Sequence, residues 1–282
     1  MLPFGLSELS TELIISYGVK LNLLILFVHI EKTAGSTFIF ILRNSFGIHH
    51  VDSLKIRNRF FTIQNLQFAS KVFPTIHAIS GHNIAEPTRH LKGVDAFLAT
   101  FLRDPVNRCA SHYQDQVLRV NLKLSFAEWI LDERYQNLMV KRIAGEPDLA
   151  KAKDLLLNQY DFVGITEHFD DSLRLLNIVS PYPLRYGYMR KVVASENSIK
   201  QDLLGNAQTR ELLIRYNDLD QKLYDFALNE IFYPLIEENQ SQLEKIDLPG
   251  EVYRNQRRWS YQLSTGYNKF IFRPLVKLMK AR

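Results

Sequence analysis

The sequence predicts an α/β domain in which helices flank a central parallel sheet. Short, continuous apolar runs such as 23–29 and 95–102 predict strands that are buried on both faces. Segments whose apolar residues have helical spacing lie between these runs, and this alternation is typical of right-handed crossovers between parallel strands. Ligands of such sheets bind beyond the carboxyl ends of the strands. The loops 30–36 and 103–111 lie at such ends and therefore carry the candidate site.

The predicted elements follow one another in chain order. The first strand ends at a glycine-containing loop, and Ser36 or Thr37 can cap the helix that follows. After the strand 95–102, Asp104 and Pro105 have the residue types of an N-cap and a first helical position, which predicts a helix to about residue 120. The other predicted elements are strands at 76–80 and 162–165, helices at about 125–143, 148–158, 167–179, 199–215 and 217–237, and an irregular segment at 181–198.

The composition is that of a folded soluble protein. Of the 282 residues, 46% are hydrophobic and 23% are charged, which argues against disordered, collagen-like and coiled-coil chains. The single cysteine, Cys109, excludes an intrachain disulfide and a zinc site built from several cysteines. We expect Cys109 to be a small buried apolar residue. No metal is expected, because no cluster of candidate ligands has the spacing of a metal site.

The net charge of +5 is placed unevenly along the chain. Residues 251–282 contain eight Lys and Arg and one acid, which leaves 27 Lys and Arg against 29 acids in residues 1–250. We therefore predict a single domain over 1–250, with its core at about 21–237, followed by a basic C-terminal tail or extension. The near-neutral body argues against a nucleic-acid partner. The tail also carries apolar residues, so contact with a membrane surface is one interpretation; packing on the domain or on a second copy is the favoured one.

The first candidate loop reads His-Ile-Glu-Lys-Thr-Ala-Gly-Ser-Thr over residues 29–37. Small residues let the backbone approach a ligand, and the helix that begins here directs unpaired N–H groups and its positive dipole end towards that ligand. Lys32 adds a full positive charge, and Thr33, Ser36 and Thr37 add hydroxyl donors. This combination suits a phosphate or a sulfate, although a polar turn before a helix is also often a simple cap. The order differs from G-x-x-x-x-G-K-[ST], since here the lysine precedes the glycine.

The second candidate loop begins where Arg103 leaves a buried strand at its carboxyl end. A guanidinium can bind a phosphate through two hydrogen bonds. Ser111 lies eight residues further on, about two turns along the next helix, and can add a hydroxyl contact. The simpler alternative is that Arg103 pairs with Asp104 or with another carboxylate at a helix start.

Together, the two loops resemble the donor-binding motifs of sulfotransferases that use 3′-phosphoadenosine 5′-phosphosulfate (PAPS). Residues 29–38 resemble the 5′-phosphosulfate loop, and the pattern Leu-Arg-Asp-Pro-Val-x-Arg-x-x-Ser-His-Tyr over 102–113 resembles the 3′-phosphate motif. The chain looks most like the branch that contains the heparan sulfate 2-O- and 6-O-sulfotransferases. Residues 162–169 and 217–226 resemble a late strand and a C-terminal helix of that branch, so the likeness spans about 23 to 235.

The resemblance implies a P-loop-like nucleotide site, PAPS as co-substrate, and transfer of a sulfuryl group to a glycan or another hydroxyl acceptor. By position, it implies that the 5′-phosphosulfate is held by Lys32, Thr33, Ala34, Gly35, Ser36 and Thr37, and that the 3′-phosphate is held by Arg103 and Ser111. Lys32 would also stabilise the leaving phosphate. Glu31 departs from the Pro or Gln that is frequent in the family, and we expect its side chain to point away from the anion.

A base is needed to take the proton of the acceptor hydroxyl, and His82 is the predicted base. It follows Gly81 just after a predicted strand, and family members place a base histidine in such a context. An imidazole in solution titrates near neutral pH. The other histidines are expected elsewhere: His29 and His77 in the core, His90 and His112 on the surface, and His49 and His50 in solvent.

Two other functions stay open. The strand Ala96–Leu102 ends near Asp104 and loosely resembles the magnesium-binding strand end of a nucleotide kinase or NTPase, but the position of the lysine argues against that class. The second is a non-catalytic protein that binds acidic glycans or membranes through the basic tail. Basic residues that can meet an acidic polysaccharide, or lie on a solvated face, are Arg57, Arg59, Arg89, Lys92, Arg190 and Lys191. The sequence shows no transmembrane run and no signal peptide, so we expect a bacterial cytoplasmic enzyme, or a Golgi lumenal one if an anchor has been removed.

Overall fold

Five parallel strands form the centre of the protein. The computed structural model describes residues 23–54, 60–84, 94–186, 198–247 and 259–280. The strands are β1 (Leu24–Val28), β2 (His50–Asp52), β3 (Ala78–Gly81), β4 (Ala96–Leu102) and β5 (Phe162–Ile165), in the order β2-β3-β1-β4-β5 across the sheet. All five residues of the central strand β1 are buried, as its continuous apolar run predicted. The predicted α/β fold with a central parallel sheet is confirmed.

β2 has no counterpart among the predicted strands. It is three residues long and lies at one side of the sheet, so it is too short to show a periodic pattern. His50 opens this strand and is fully buried, with its Nε2 2.8 Å from Oγ of Ser80. The expectation that His50 is solvated is therefore wrong, and burial lowers the pKa of its imidazole to about 4.

The strand register brings the candidate loops together. Val28 of β1 is paired with Gly81 of β3 and with Thr100 of β4. Because these strands run in the same direction, the segments that follow them begin side by side. The loop after Val28, the turn after Gly81 and the segment after β4 therefore meet beyond the carboxyl ends of the strands, where parallel sheets bind their ligands.

Most of the predicted helices are present. The helices of the described residues are α1 (Gly35–Phe46), α2 (Ile63–Val72), α3 (Pro105–Val120), α4 (Phe126–Ile130), α5 (Leu138–Ala144), α6 (Leu149–Asn158), α7 (Phe169–Val179), α8 (Ser198–Gly205), α9 (Ala207–Arg215), α10 (Asp218–Phe226), α11 (Tyr233–Leu243), α12 (Trp259–Tyr267) and α13 (Arg273–Lys280). The start of α3 is confirmed: Asp104 is its N-cap, with Oδ1 accepting from the N–H of Asn107 at 2.8 Å, and Pro105 is its first residue.

Three predicted helices are interrupted. The segment 125–143 contains a 3₁₀ turn at Glu133–Tyr135 between α4 and α5. The segment 199–215 is divided at Asn206, whose side chain accepts hydrogen bonds from two backbone N–H groups of α9 and so starts a new helix. The segment 217–237 passes through a π-helical stretch, Ala227–Phe232, and continues as α11.

α12 and α13 belong to the segment predicted as a basic tail, and they pack on the domain. Phe272 and Val276 are buried in the same hydrophobic core as β1. The side-chain amide of Asn268 accepts a hydrogen bond from the N–H of Asp52 and donates one to the carbonyl of His50, both at 3.0 Å. It thereby covers backbone groups of β2 that would otherwise be exposed. Residues 259–280 thus pack against the domain and add Phe272 and Val276 to its core.

Other expectations concern single residues and segments. Cys109 is fully buried, as expected. Within the described ranges, no helix combines the length and the apolar composition that a bilayer span requires. Several expectations fall on residues outside the described ranges: His90, most of the segment 181–198, and the basic residues Arg57, Arg59, Arg89, Lys92, Arg190 and Lys191.

Candidate active site

The loop between β1 and α1 contains two left-handed residues that are not glycine. Lys32 has a φ of 68° and Ala34 a φ of 61°, a conformation that costs a residue with a Cβ atom about 1 kcal/mol or more. Between them, Thr33 is fully buried, and its Oγ1 donates a hydrogen bond to the carbonyl of Ile30 at 3.0 Å. This bond uses the only hydroxyl proton of Thr33. Contrary to the expectation of a hydroxyl donor at this position, Thr33 fixes the loop from inside, and its backbone N–H is what it can offer a ligand.

The start of α1 leaves hydrogen-bond donors free. Its N-cap is Ala34, which has no capping side chain, so the predicted caps at Ser36 and Thr37 are wrong. The N–H of Thr37 donates to the carbonyl of Ala34 at 2.9 Å, whereas the N–H groups of Gly35 and Ser36 have no partner among the described residues. The side chain of Ser36 is exposed. Free N–H groups, hydroxyl groups and the positive end of the helix dipole therefore lie together, which suits an anion.

Gly35 is required by a neighbouring side chain. A Cβ atom at this position would lie 2.0 Å from Cδ2 of His29, a distance that no real contact has. The buried ring of His29 stacks on Phe27 and on His82, with centroid distances of 5.7 and 4.0 Å. The small residue expected to let the backbone approach a ligand is therefore also what lets His29 pack beneath the loop.

The side chain of Lys32 reaches α3. Its Nζ lies 3.1 Å from Oδ1 of Asp115, and the same oxygen lies 3.0 Å from Nε of Arg119. Asp115 is not a predicted site residue, because an acid on a helix has no recognisable pattern in sequence. Ser111, a predicted site residue, lies four residues before Asp115 and hence on the same face of the helix. Ser111 therefore lies on the part of α3 between the contact of Lys32 and the helix start next to Arg103.

Arg103 joins the two candidate loops. Its Nη1 donates a hydrogen bond to the backbone carbonyl of Lys32 at 3.0 Å. Its Nε lies 3.8 Å from Oε1 of Glu167, whose other carboxylate oxygen accepts from the N–H of Asp104 at 3.2 Å and from the hydroxyl of Tyr224 at 3.0 Å. The carboxylate beside Arg103 is thus that of Glu167, while the side chain of Asp104 caps α3.

His82 lies in the turn after β3, with a side chain that is 45% exposed. Its Nδ1 is 2.7 Å from the backbone carbonyl of His29. A carbonyl can only accept, so Nδ1 carries the hydrogen and Nε2 keeps its lone pair. This is the tautomer that a base acting through Nε2 requires.

Two other histidines near the loops are closed to solvent. His29 is buried as expected, and burial together with neighbouring His82 lowers the pKa of its imidazole to about 3. His112 is also buried, with its ring against Trp129 and Tyr135, so the expectation of a surface position is wrong. Burial, followed by the charge of Arg108, lowers the pKa of His112 to about 4. Of these three rings, His82 is the one that is open to solvent.

Glu31 faces α5 and the imidazole of His82. Arg142 binds its carboxylate through two nitrogens: Nε donates to Oε2 at 3.0 Å, and Nη2 donates to Oε1. Oε1 also lies 3.6 Å from Nδ1 of His82. Burial alone would raise the pKa of Glu31, but the charge and hydrogen bonds of Arg142 outweigh it and lower this pKa to about 2. The acid in the anion loop is therefore compensated by a cation that the motifs do not contain.

Residues 217–226, the last of the four segments that resemble the family, hold α3 in place. Arg108 of α3 is fully buried, where its Nη2 donates to Oδ1 of Asn217 at 3.2 Å and lies 3.7 Å from Oδ2 of Asp220. The two carboxylate oxygens of Asp220 accept from the N–H groups of Met139 and Val140 at the start of α5. These contacts fix the helix that carries Ser111 and Asp115 relative to the helix that carries Arg142.

The site thus combines a helix start with free N–H groups, a lysine, an arginine and an accessible histidine, and this combination suits the binding of anionic groups. In the part of the chain that the structure describes, no cluster of three or more His, Cys, Asp or Glu side chains is placed to hold a metal ion.

Comparison with protein families matches residues 19–227 to the sulfotransferase family, and this match covers most of the chain and both loops. The protein belongs to the sulfotransferase family. No curated protein matches it.

Proposed function

We propose that the protein transfers a sulfuryl group from PAPS to a hydroxyl group of a carbohydrate. The observation that carries this proposal is the hydrogen bond from Arg103 to the carbonyl of Lys32, because it joins two cationic loops into one site. PAPS has a phosphosulfate at one end of its ribose and a 3′-phosphate at the other, so it needs two neighbouring anion sites. Arg103 and Ser111 are proposed to bind the 3′-phosphate.

The phosphosulfate is proposed to lie at the start of α1. The free N–H groups of Gly35 and Ser36 and the hydroxyls of Ser36 and Thr37 are available to it there. The ammonium of Lys32 neutralises the charge that develops on the leaving phosphate. These N–H and hydroxyl groups belong to the loop and the start of α1, so they need little rearrangement when PAPS binds.

The chemistry assigned to His82 is that of a general base. The acceptor oxygen attacks sulfur, the bond between sulfur and the bridging phosphate oxygen breaks, and the acceptor proton passes to Nε2 of His82. The products are a sulfate ester and 3′,5′-adenosine bisphosphate. Nδ1 of His82 is bonded to the carbonyl of His29, which leaves Nε2 for the proton.

The family match argues against the kinase alternative. Asp104, which resembled a magnesium ligand, is the N-cap of α3, and its Oδ1 accepts hydrogen bonds from both the backbone N–H and the side-chain amide of Asn107 at 2.8 Å. The choice of a carbohydrate acceptor is supported by the resemblance to the heparan sulfate branch.

Calorimetry with 3′,5′-adenosine bisphosphate tests the donor. We expect this product to bind at least about tenfold more tightly than 5′-adenosine monophosphate, which lacks the 3′-phosphate. Transfer from labelled PAPS is then measured with unsulfated polysaccharides, and with a simple phenol as a non-carbohydrate acceptor. Equal affinities for the two nucleotides, or magnesium-dependent ATP turnover in place of sulfuryl transfer, would overturn the proposal. Transfer to the phenol alone would overturn the choice of acceptor.

A further inference from the structure

Arg142 of α5 connects the side chain of Glu31 with the backbone of His82. Besides its two hydrogen bonds to the carboxylate of Glu31, its Nη1 donates to the carbonyl of His82 at 3.2 Å. One guanidinium therefore fixes the loop after β1 relative to the turn after β3. Neither Glu31 nor Arg142 has a role in the donor motifs, so these contacts call for a separate explanation.

The carboxylate of Glu31 faces the ring that is proposed as the base. Nδ1 of His82 lies 2.7 Å from the carbonyl oxygen of His29 and 3.6 Å from Oε1 of Glu31. Its hydrogen is thus bonded to the carbonyl of His29, and the carboxylate lies just beyond hydrogen-bond distance, close enough for its charge to act on the ring. When Nε2 accepts a proton, the ring becomes a cation beside a carboxylate, and that interaction favours the protonated form.

The other charged groups around His82 are paired. Arg142 is bound to Glu31, and Lys32 is bound to Asp115. The stacked ring of His29 is neutral, because burial and His82 lower its pKa to about 3. Glu31 itself stays ionised over the working pH range, since its pKa is about 2. Among the described residues, the carboxylate of Glu31 is therefore the anion that acts directly on the base.

We propose that Glu31, held in place by Arg142, is a positioning residue for His82: its charge stabilises the protonated ring that forms during sulfuryl transfer. This inference rests on the proposed function, because it assigns a partner to the proposed base. Arg142 has two opposing effects. It holds the carboxylate in place, and its positive charge weakens the attraction between that carboxylate and the ring.

Two substitutions separate these effects. Glu31→Gln keeps the shape of the side chain and removes its charge, while Arg142→Gln leaves the carboxylate without its cation. The acid limb of the pH profile of kcat reports deprotonation of the base in the bound enzyme. We expect Glu31→Gln to lower kcat about tenfold and to move the acid limb to lower pH, and Arg142→Gln to move the limb to higher pH. The affinity for 3′,5′-adenosine bisphosphate should change less than about threefold in both.

A matched control is Glu146→Gln, which removes a surface ion pair with Lys151 at 3.1 Å and should leave the profile unchanged. A loss of kcat with an unmoved acid limb, or limbs that move in the same direction, overturns the proposal, because a purely structural role predicts either result. Each variant is judged by its own shift, so misfolding of one leaves the other as the test.

NMR titration of the His82 ring separates this inference from the proposed function. The ring signals are assigned by their loss in His82→Asn, and the same opposite shifts should be seen without any substrate. If the unmodified protein neither binds the bisphosphate nor transfers sulfate, the proposed function fails. If it does both and the ring titrates identically in all variants, only the role of Glu31 fails.

Discussion

The ammonium of Lys32 lies 3.1 Å from a carboxylate oxygen of Asp115, which also binds Arg119 at 3.0 Å. A carboxylate beside the proposed donor site competes with the anionic groups of the donor for the same cations. We expect Asp115→Asn to strengthen binding of 3′,5′-adenosine bisphosphate roughly fivefold, since a partly exposed ion pair contributes up to about 1 kcal/mol. Calorimetry at low and high salt measures this gain, which should shrink as salt screens the charges.

The control for this substitution is Asp171→Asn. Asp171 also pairs with an arginine, Arg174, at 2.7 Å, but on α7, outside the proposed site. We expect no change in nucleotide affinity for this variant. Weaker binding by Asp115→Asn would instead show that Asp115 holds Lys32 in the position that the donor needs, and would contradict the expected competition.

Arg103 is expected to discriminate between nucleotides. Arg103→Ala should weaken binding of the bisphosphate about 30-fold and affect 5′-adenosine monophosphate much less, because hydrogen bonds to a charged group contribute about 2 kcal/mol. Ser111→Ala should have the same pattern with a smaller loss. Calorimetry with both nucleotides gives the comparison. An equal loss for both would mean that Arg103 acts only by holding the carbonyl of Lys32.

His82→Asn separates binding from chemistry. Loss of a general base lowers the rate by about 10² to 10⁴, so we expect sulfuryl transfer to fall by that factor. The affinity for the bisphosphate should stay within about threefold of the unmodified value, because no donor contact is assigned to His82. His168→Asn, which changes a ring that lies near Tyr233, serves as the control. Near-normal turnover in His82→Asn would move the base elsewhere.

The strands that build the site were predictable because their burial leaves a strong local pattern. β1 and β4 are long apolar runs, and both are followed by polar loops. β2 was not predictable, since a strand of three residues at the side of the sheet is too short to show a hydrophobic pattern. The break at Asn206 was missed for a related reason. An asparagine within a helical pattern is recognisable as a cap only when the backbone around it is known.

The site was predictable to the extent that its residues lie next to strand ends. Arg103 follows β4 directly and Lys32 lies in the loop after β1, and parallel strands bring such positions together. Arg142 and Asp115 lie 111 and 83 residues from the loop residues that they bind. Pairing between side chains of separate elements leaves no local signal. The neutralisation of the Glu31 charge by Arg142 and the contact of Lys32 with Asp115 therefore become evident only in the folded structure.

Gly35→Ala should destabilise the protein. The added methyl group would meet the buried ring of His29 at 2.0 Å, and crowding of a packed site costs about 2 kcal/mol. Gly205→Ala is the matched control, since nothing lies within 4 Å of a Cβ atom at the end of α8, and it should be neutral or slightly stabilising. Urea unfolding measures both. If the contact with His29 is the cause, His29→Ala combined with Gly35→Ala should cost less than the sum of the single changes; strictly additive losses would contradict that cause.

Three buried imidazoles should make stability depend on pH. Burial lowers the pKa of His50 and His112 to about 4, and burial together with His82 lowers that of His29 to about 3. In the unfolded chain these groups bind protons below about pH 6.5. The unfolded state therefore binds more protons than the folded state between about pH 6.5 and 4. The free energy of unfolding is highest above this window and falls as the pH falls through it.

The expected loss between pH 7 and pH 5 is about 2 kcal/mol for each imidazole. Asp220, whose pKa burial raises, acts in the opposite direction, because it binds a proton more readily in the folded state. Urea unfolding at the two pH values measures the net change. His50→Gln retains a hydrogen-bonding group near Ser80 and removes one titrating ring. The difference in the free energy of unfolding between pH 7 and pH 5 should therefore shrink by about the loss expected for one imidazole. A free energy of unfolding that is equal at both pH values, or a His50→Gln variant with an undiminished difference, would show that these rings are not kept neutral by the fold.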